Sequence, residues 1–223
     1  MMLTKRDKAI IKDLNKFRVM DRDSIAELHF SNLKNPQYAA NNVLLRLLRD
    51  GHIQRSTAYI PYLYFSTETQ IKKNSQKIFH FLAILETYKE IRTLGKIESF
   101  LVEPKYGKKG IVEPDIFVNF RKTNFFIEVQ NSIYSEKQMN DKIERYIDLY
   151  NRGIMAKPFP HVLIISEHRY SFDMDTPFQL FQTSSFKEFY NSLLPVKNIK
   201  SNNTIPLQNH KIIIKSGTEI INV

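Results

Sequence analysis

Residues Ile111 to Gln130 read IVEPDIFVNFRKTNFFIEVQ and restrict what this chain can become more than any other stretch. Two runs of alternating apolar and aromatic residues flank the polar tetrad Arg121-Lys122-Thr123-Asn124. Strand-forming arms around turn-forming residues predict a β-hairpin. Asp115 opens the first arm, and Glu128 and Gln130 close the second on one face, because side chains alternate along a strand. An antiparallel turn returns Asp115 and Glu128 to the same end of the sheet. An acid at one strand start beside an acid-x-polar pair is a metal-site pattern. It suits a hard cation such as Mg2+ or Mn2+, which takes carboxylate oxygens, waters and phosphate. The plain alternative is a surface hairpin with an exposed acid at each end.

The totals exclude several classes. A chain of 223 residues holds one large domain or two small ones. It has no cysteine, so no disulfide framework and no thiolate-held zinc is expected, which fits a reducing cytoplasm. Met1 to Lys8 carries no apolar signal core, and no later run approaches a membrane span, so no membrane partner is expected. The P-loop pattern is absent, which argues against a nucleotide cofactor. The six histidines (His29, His52, His80, His161, His168, His210) form no His-x-His pair, so a relaxase with a clustered histidine metal site is disfavoured. The net charge of +10 points to a polyanion. Residues 1 to 66 carry eleven Lys and Arg against six Asp and Glu, half of that excess in under a third of the chain.

That basic segment has its own pattern. Thr4 can cap a helix to about Phe17, with Ile10, Ile11, Leu14 and Phe17 on its apolar face. Asp21 or Asp23 caps a second helix. Pro36 suits the first turn of a third, roughly Gln37 to Arg49, and Gly51 ends it. His52 to Arg55 and Tyr59 to Phe65 read as two strands. Three helices and a β-hairpin predict a winged helix-turn-helix over residues 1–66. Helical arithmetic turns Gln37, Tyr38, Asn41, Asn42, Arg46 and Arg49 of the third helix outward. Asn, Gln and Arg are the side chains that read base edges in the major groove of double-stranded DNA. Arg55 and Ser56 fall on or near the wing, where phosphate contact is expected. A three-helix protein-docking module is the competing reading.

Residues 67–75 are polar and without hydrophobic period, and read as a linker to a second domain over 76–223. A helix is expected from Gln76 to Thr93, a strand from Lys96 to Val102, then the hairpin, a helix from about Glu136 to Asn151, and a buried strand over His161 to Ser166. The order is helix, three strands, helix, strand. Lys197 to Thr204 reads as a polar loop, and Lys211 to Lys215 as an edge strand guarded by lysines.

Glu113-Pro114-Asp115 followed by Glu128-Val129-Gln130 resembles the PD-(D/E)xK nuclease superfamily, with Gln130 where lysine is usual. The resemblance implies an αβββαβ core, the order already read from periodicity. It also implies that Asp115 and Glu128 hold Mg2+ or Mn2+ and that Gln130 places the attacking water. Glutamine can hydrogen-bond that water but supplies no positive charge. A glutamate of the first helix often completes such a metal shell, which makes Glu86 or Glu90 the candidate. Gln138, Lys142 and Tyr146 recur every four residues and resemble the Gln-x-x-x-Tyr element of related nucleases, with Lys142 in the Gln-like position or supplying the missing cation.

A winged helix joined to such a core resembles the replication-relaxation family over roughly residues 4 to 166. This implies a DNA-binding protein of a bacterial plasmid, phage or conjugative element, acting in replication initiation or relaxation. The alternatives are an active Mg2+-dependent endonuclease, with Asp115, Glu128, Gln130, Lys142 and Tyr146 in its site, and a transcriptional repressor. A homodimer is the default for a helix-turn-helix that reads a palindrome.

Overall fold

The computed structural model of the chain describes residues 2–107, 110–172 and 174–194, together with the backbone of two short strands at 213–215 and 220–222. The expected α+β class is what the chain adopts. It divides into two compact units, Met1–Leu82 with Val196–Val223, and Ala83–Pro195. No helix among the described residues is long and apolar enough to cross a membrane.

The first unit opens with α1 (Lys5–Phe17), whose capping box is reciprocal: the Thr4 side chain accepts from the Asp7 N–H and the Asp7 carboxylate accepts from the Thr4 N–H. Strand β1 (Met20–Asp21) leads into α2 (Arg22–Phe30), capped by Asp21 on the Ser24 N–H at 2.8 Å. Asn35 caps α3 (Pro36–Arg49), with Pro36 in its first turn. Gly51, at φ +73°, takes the left-handed position after that helix. Then come β2 (Ile53–Ser56), β3 (Tyr59–Ile60) and β4 (Leu63–Ser66). Ile10, Leu14, Phe17, Ile25, Leu44, Leu47, Leu63 and Phe65 are buried between the helices and the antiparallel sheet β1-β4-β2.

The sequence predicts one strand from Tyr59 to Phe65, and the structure has two. Pro61 cannot donate to a ladder, so the run is interrupted there. β4 pairs with β1 and β2. β3 pairs instead with β10 (Ile213–Lys215), which also pairs with β11 (Ile220–Asn222). The run expected to be an edge strand is therefore the middle of three, and it belongs with the first unit, not with a domain over 76–223. The polar loop expected over 197–204 lies outside the described residues.

The division between the units falls within α4 (Lys77–Leu94). The second unit continues through β5 (Ile97–Val102), β6 (Ile116–Phe120), β7 (Thr123–Val129), α5 (Glu136–Asn151), β8 (His161–Ile165), β9 (Leu180–Thr183) and α6 (Phe186–Ser192). The order of helix, three strands, helix and strand is the one read from the sequence; β9 is added, and α6 falls within Ser185 to Leu194, where the sequence reads as a short helix. The sheet runs β5-β6-β7-β8-β9. Its first two pairings are antiparallel, and β7-β8 and β8-β9 are parallel. α5 is the crossover that a parallel β7-β8 pair requires.

The hairpin turn is tighter than expected. Phe120 pairs with Thr123, so only Arg121 and Lys122 lie in the loop, both at positive φ (49° and 68°). Such two-residue turns favour Asn and Gly. Here the Arg121 guanidinium is tied down, donating to the Leu94 carbonyl at 2.9 Å and the Tyr190 hydroxyl at 2.6 Å. Side chains alternate across β7. Phe126 packs toward α5 with Met139, Ile143, Tyr146 and Leu149, whereas Phe125 meets Phe186 and Phe189 of α6. Glu128, two residues beyond Phe126, is thereby directed into the α5 side.

Candidate functional site

Two places in the chain gather candidate side chains, one in each unit. In the first unit, Gln37, Tyr38, Asn42 and Arg49 of α3 are exposed, and Asn41 is half-buried on the same side. Tyr38 is 64 % exposed and Leu45, a position the sequence analysis leaves unassigned, is 56 % exposed. Tyr38, Asn41, Asn42, Leu45 and Arg49 recur at helical spacing, so the apolar member of this stripe was recoverable by the same arithmetic.

A cleft of about 570 Å³ adjoins the stripe, lined among others by Arg22, Asn41, Leu45, Arg55, Ile60 and Tyr62. The Arg55 guanidinium stands 4.8 Å from the Tyr62 ring centre, a cation–π contact that holds the charge at the rim. Sequence reasoning missed Arg22, Ile60 and Tyr62, because only the fold brings α2, the β3–β4 segment and α3 together.

Two expected DNA contacts stand elsewhere. Arg46 donates to the Asp7 carboxylate at 2.7 Å and ties α3 to α1. Burial pushes the Asp7 carboxyl up, but Arg46 and Thr4 outweigh it and hold the acid below its ordinary value. Helical spacing places Arg46 toward the outside; a buried acid on a neighbouring helix turns it back. Ser56 is buried, its oxygen accepting from the Ala58 N–H at 3.4 Å, and offers no surface to a phosphate.

In the second unit, Asp115 precedes β6 and Glu128 lies near the end of β7. The Ile116–Ile127 pairing puts the two acids opposite each other one step further along. Asp115 accepts the Val129 N–H at 2.8 Å. Glu128 is fully buried, and both its oxygens are committed. The Lys142 ammonium donates to Oε2, and the Tyr146 hydroxyl donates to Oε1. Lys142 and Tyr146 reach the same carboxylate because they are one helical turn apart on α5. The Tyr134 ring lies 5.7 Å from the Lys142 ammonium. Gln138 is not part of this group; it caps α5 with Ser135.

The electrostatics follow from burial. Desolvation, aided by the Asp115 charge, raises Glu128 to about 7 against the pull of Lys142 and Tyr146. Burial pulls Lys142 down, but Glu128 and Asp115 overcome it and hold the ammonium above its ordinary value. Burial and the Glu128 charge push the Tyr146 phenol well up, so it remains a donor.

The other expected metal-site residues are placed differently. Glu86 pairs with Lys89 at 2.9 Å, and the Glu90 carboxylate accepts the Lys187 N–H at 3.1 Å in the first turn of α6. Among the described residues no group of three or more His, Asp or Glu gathers at distances that could hold a metal. The Gln130 side-chain nitrogen is buried and has no hydrogen-bond partner among the described residues. Mg2+ needs about six oxygens in near-octahedral geometry. With Glu128 capped by an ammonium on one oxygen and a hydroxyl on the other, the residues as arranged do not fit such an ion.

Comparison of the chain with protein-family models, with curated proteins and with solved structures finds no match in any of the three.

Proposed function

We propose that this chain is a double-stranded DNA-binding protein. In this reading its first unit is a winged helix-turn-helix that inserts α3 into the major groove, and its second is a PD-(D/E)xK-like domain that serves as a scaffold. One observation carries the proposal. The solvent-facing side of α3 presents Gln37, Tyr38, Asn42, Leu45 and Arg49 together, and Arg55 flanks it across the cleft. Amides and guanidinium match adenine and guanine edges, and an exposed leucine matches the thymine methyl group. Tyr38 and Leu45 stay exposed while Ala40, Leu44 and Leu47 of the same helix are buried in the core. The net charge of +10 supports a polyanionic partner. The family resemblance extends the proposal to replication initiation, relaxation or its control on a mobile element, with two copies reading a palindrome.

The endonuclease alternative needs Glu128 free to hold a metal, and Lys142 with Tyr146 occupies it. The repressor alternative shares the same DNA contacts.

The test is titration of the full chain into labelled random duplex. Affinity should fall by orders of magnitude between about 50 and about 200 mM salt, because each neutralised phosphate releases counterions. Arg49→Ala with Arg55→Ala should flatten that dependence by roughly two contacts' worth. Binding that is absent at the lower salt would end the proposal.

A further inference from the structure

We infer that the Lys142 ammonium is a resident cation standing in for a divalent metal, so that the wild-type chain ignores such metals and removing the lysine unmasks a binding site for them. The inference is independent of the DNA-binding reading, since it concerns the second unit alone.

Charge and geometry carry it. Asp115 and Glu128 lie opposite each other at one sheet end, and both act on Lys142. Glu128 has no exposure of its own, so its charge has to be balanced within the fold. The nearest cation is the Lys142 ammonium, bonded to Oε2. Its side chain is 14 % exposed, so it is the member of the pair that borders solvent. A divalent ion entering there would bring two positive charges to two carboxylates and retain several waters as ligands. With the ammonium present, that ion would meet a like charge in a partly buried site and would have to break the Glu128 bond first. With the side chain cut back to a methyl group, the repulsion is gone, a carboxylate oxygen is released, and the vacated volume admits water. Gln130 is consistent with this arrangement. The usual lysine of the motif is missing from the strand, and positive charge reaches the acid from α5 instead.

The experiment compares thermal unfolding of wild type, Lys142→Ala and Lys142→Arg, each with and without Asp115→Asn. Each is measured at slightly alkaline pH with millimolar MnCl2 and with NaCl at matched ionic strength. The quantity read is the part of the Mn2+ shift that Asp115→Asn removes, with Asp115→Asn alone as the wild-type reference. It should be absent in wild type and in Lys142→Arg, and it should amount to several degrees of stabilisation in Lys142→Ala. A wild type that already shows the Asp115-dependent shift overturns the inference, because a metal then binds with the lysine in place. A folded Lys142→Ala that is indifferent to Mn2+ overturns it as well. If Lys142→Ala does not fold in metal-free buffer, the readout becomes recovery of its circular dichroism on adding Mn2+. Recovery that fails in Lys142→Ala/Asp115→Asn supports the inference, and no recovery overturns it.

Discussion

Replacing Asn41 and Asn42 together by alanine should erase the preference of the chain for its best site while leaving its binding to random duplex nearly unchanged. Each well-placed base contact contributes about 1–3 kcal/mol of discrimination, so two lost contacts reduce the preference by roughly two to four orders of magnitude. The measurement selects bound sequences from a randomised duplex pool with wild type, then compares affinities for selected and random duplex in both proteins. Arg46→Ala is the control that separates reading from folding. Arg46 bonds a buried Asp7, so its loss should lower stability by about 1–3 kcal/mol and leave the ratio of the two affinities intact. If Arg46→Ala destroys the preference and the double asparagine variant keeps it, α3 reads DNA by a different face, or not at all.

The second large effect concerns Lys142→Leu. Removing one partner of a buried ion pair costs about 3–5 kcal/mol, because the other charge is left uncompensated. Glu128 makes that cost depend on pH. Its carboxyl is raised in the fold, to about 7 from an ordinary 4.5. The folded chain therefore binds more protons than the unfolded chain between those values, and wild-type stability falls as pH rises through that window, by at most about 1.4 kcal/mol per pH unit. Lys142 is one of the groups holding the carboxyl down, so its removal extends the window upward. Urea unfolding should show the full cost of Lys142→Leu near pH 8, where wild type keeps an ion pair and the variant must bury a bare carboxylate or protonate it. Near pH 5 the folded Glu128 is already neutral, and the cost should be clearly smaller. Equal costs at both pH values would mean that the lysine matters for packing and not for charge.

Local chemistry made much of this fold legible. Thr4 and Asp21 cap the first two helices, Pro36 opens the third, and α5 runs over the residues that its periodicity marks. The sequence was silent where a partner distant in the chain decides. β1 has two residues and exists only by pairing with β4. β9 lies in an aromatic, aperiodic stretch and exists by pairing with β8. Arg46 and Glu90 sit at positions that helical spacing leaves outside, and each is recruited by another helix. Ser56 reads as a wing residue, yet the sheet buries it. The grouping of Asp115, Glu128, Lys142 and Tyr146 was legible because an antiparallel register and a four-residue helical step fix it. What those positions could not reveal was the occupancy of Glu128. A lysine near an acid pair can assist a metal or replace it, and only the bonding to both carboxylate oxygens separates the two.

The division of labour between the two units is tested most directly by hydrogen–deuterium exchange of the full chain with and without duplex DNA, in low salt and without divalent metal. Binding through α3 and the wing predicts slowed exchange over residues 36–49 and 53–64, with residues 115–151 unchanged. Protection confined to residues 115–151, with none in α3, would contradict the account and return the Glu128 site to the role of a nucleic-acid-binding centre.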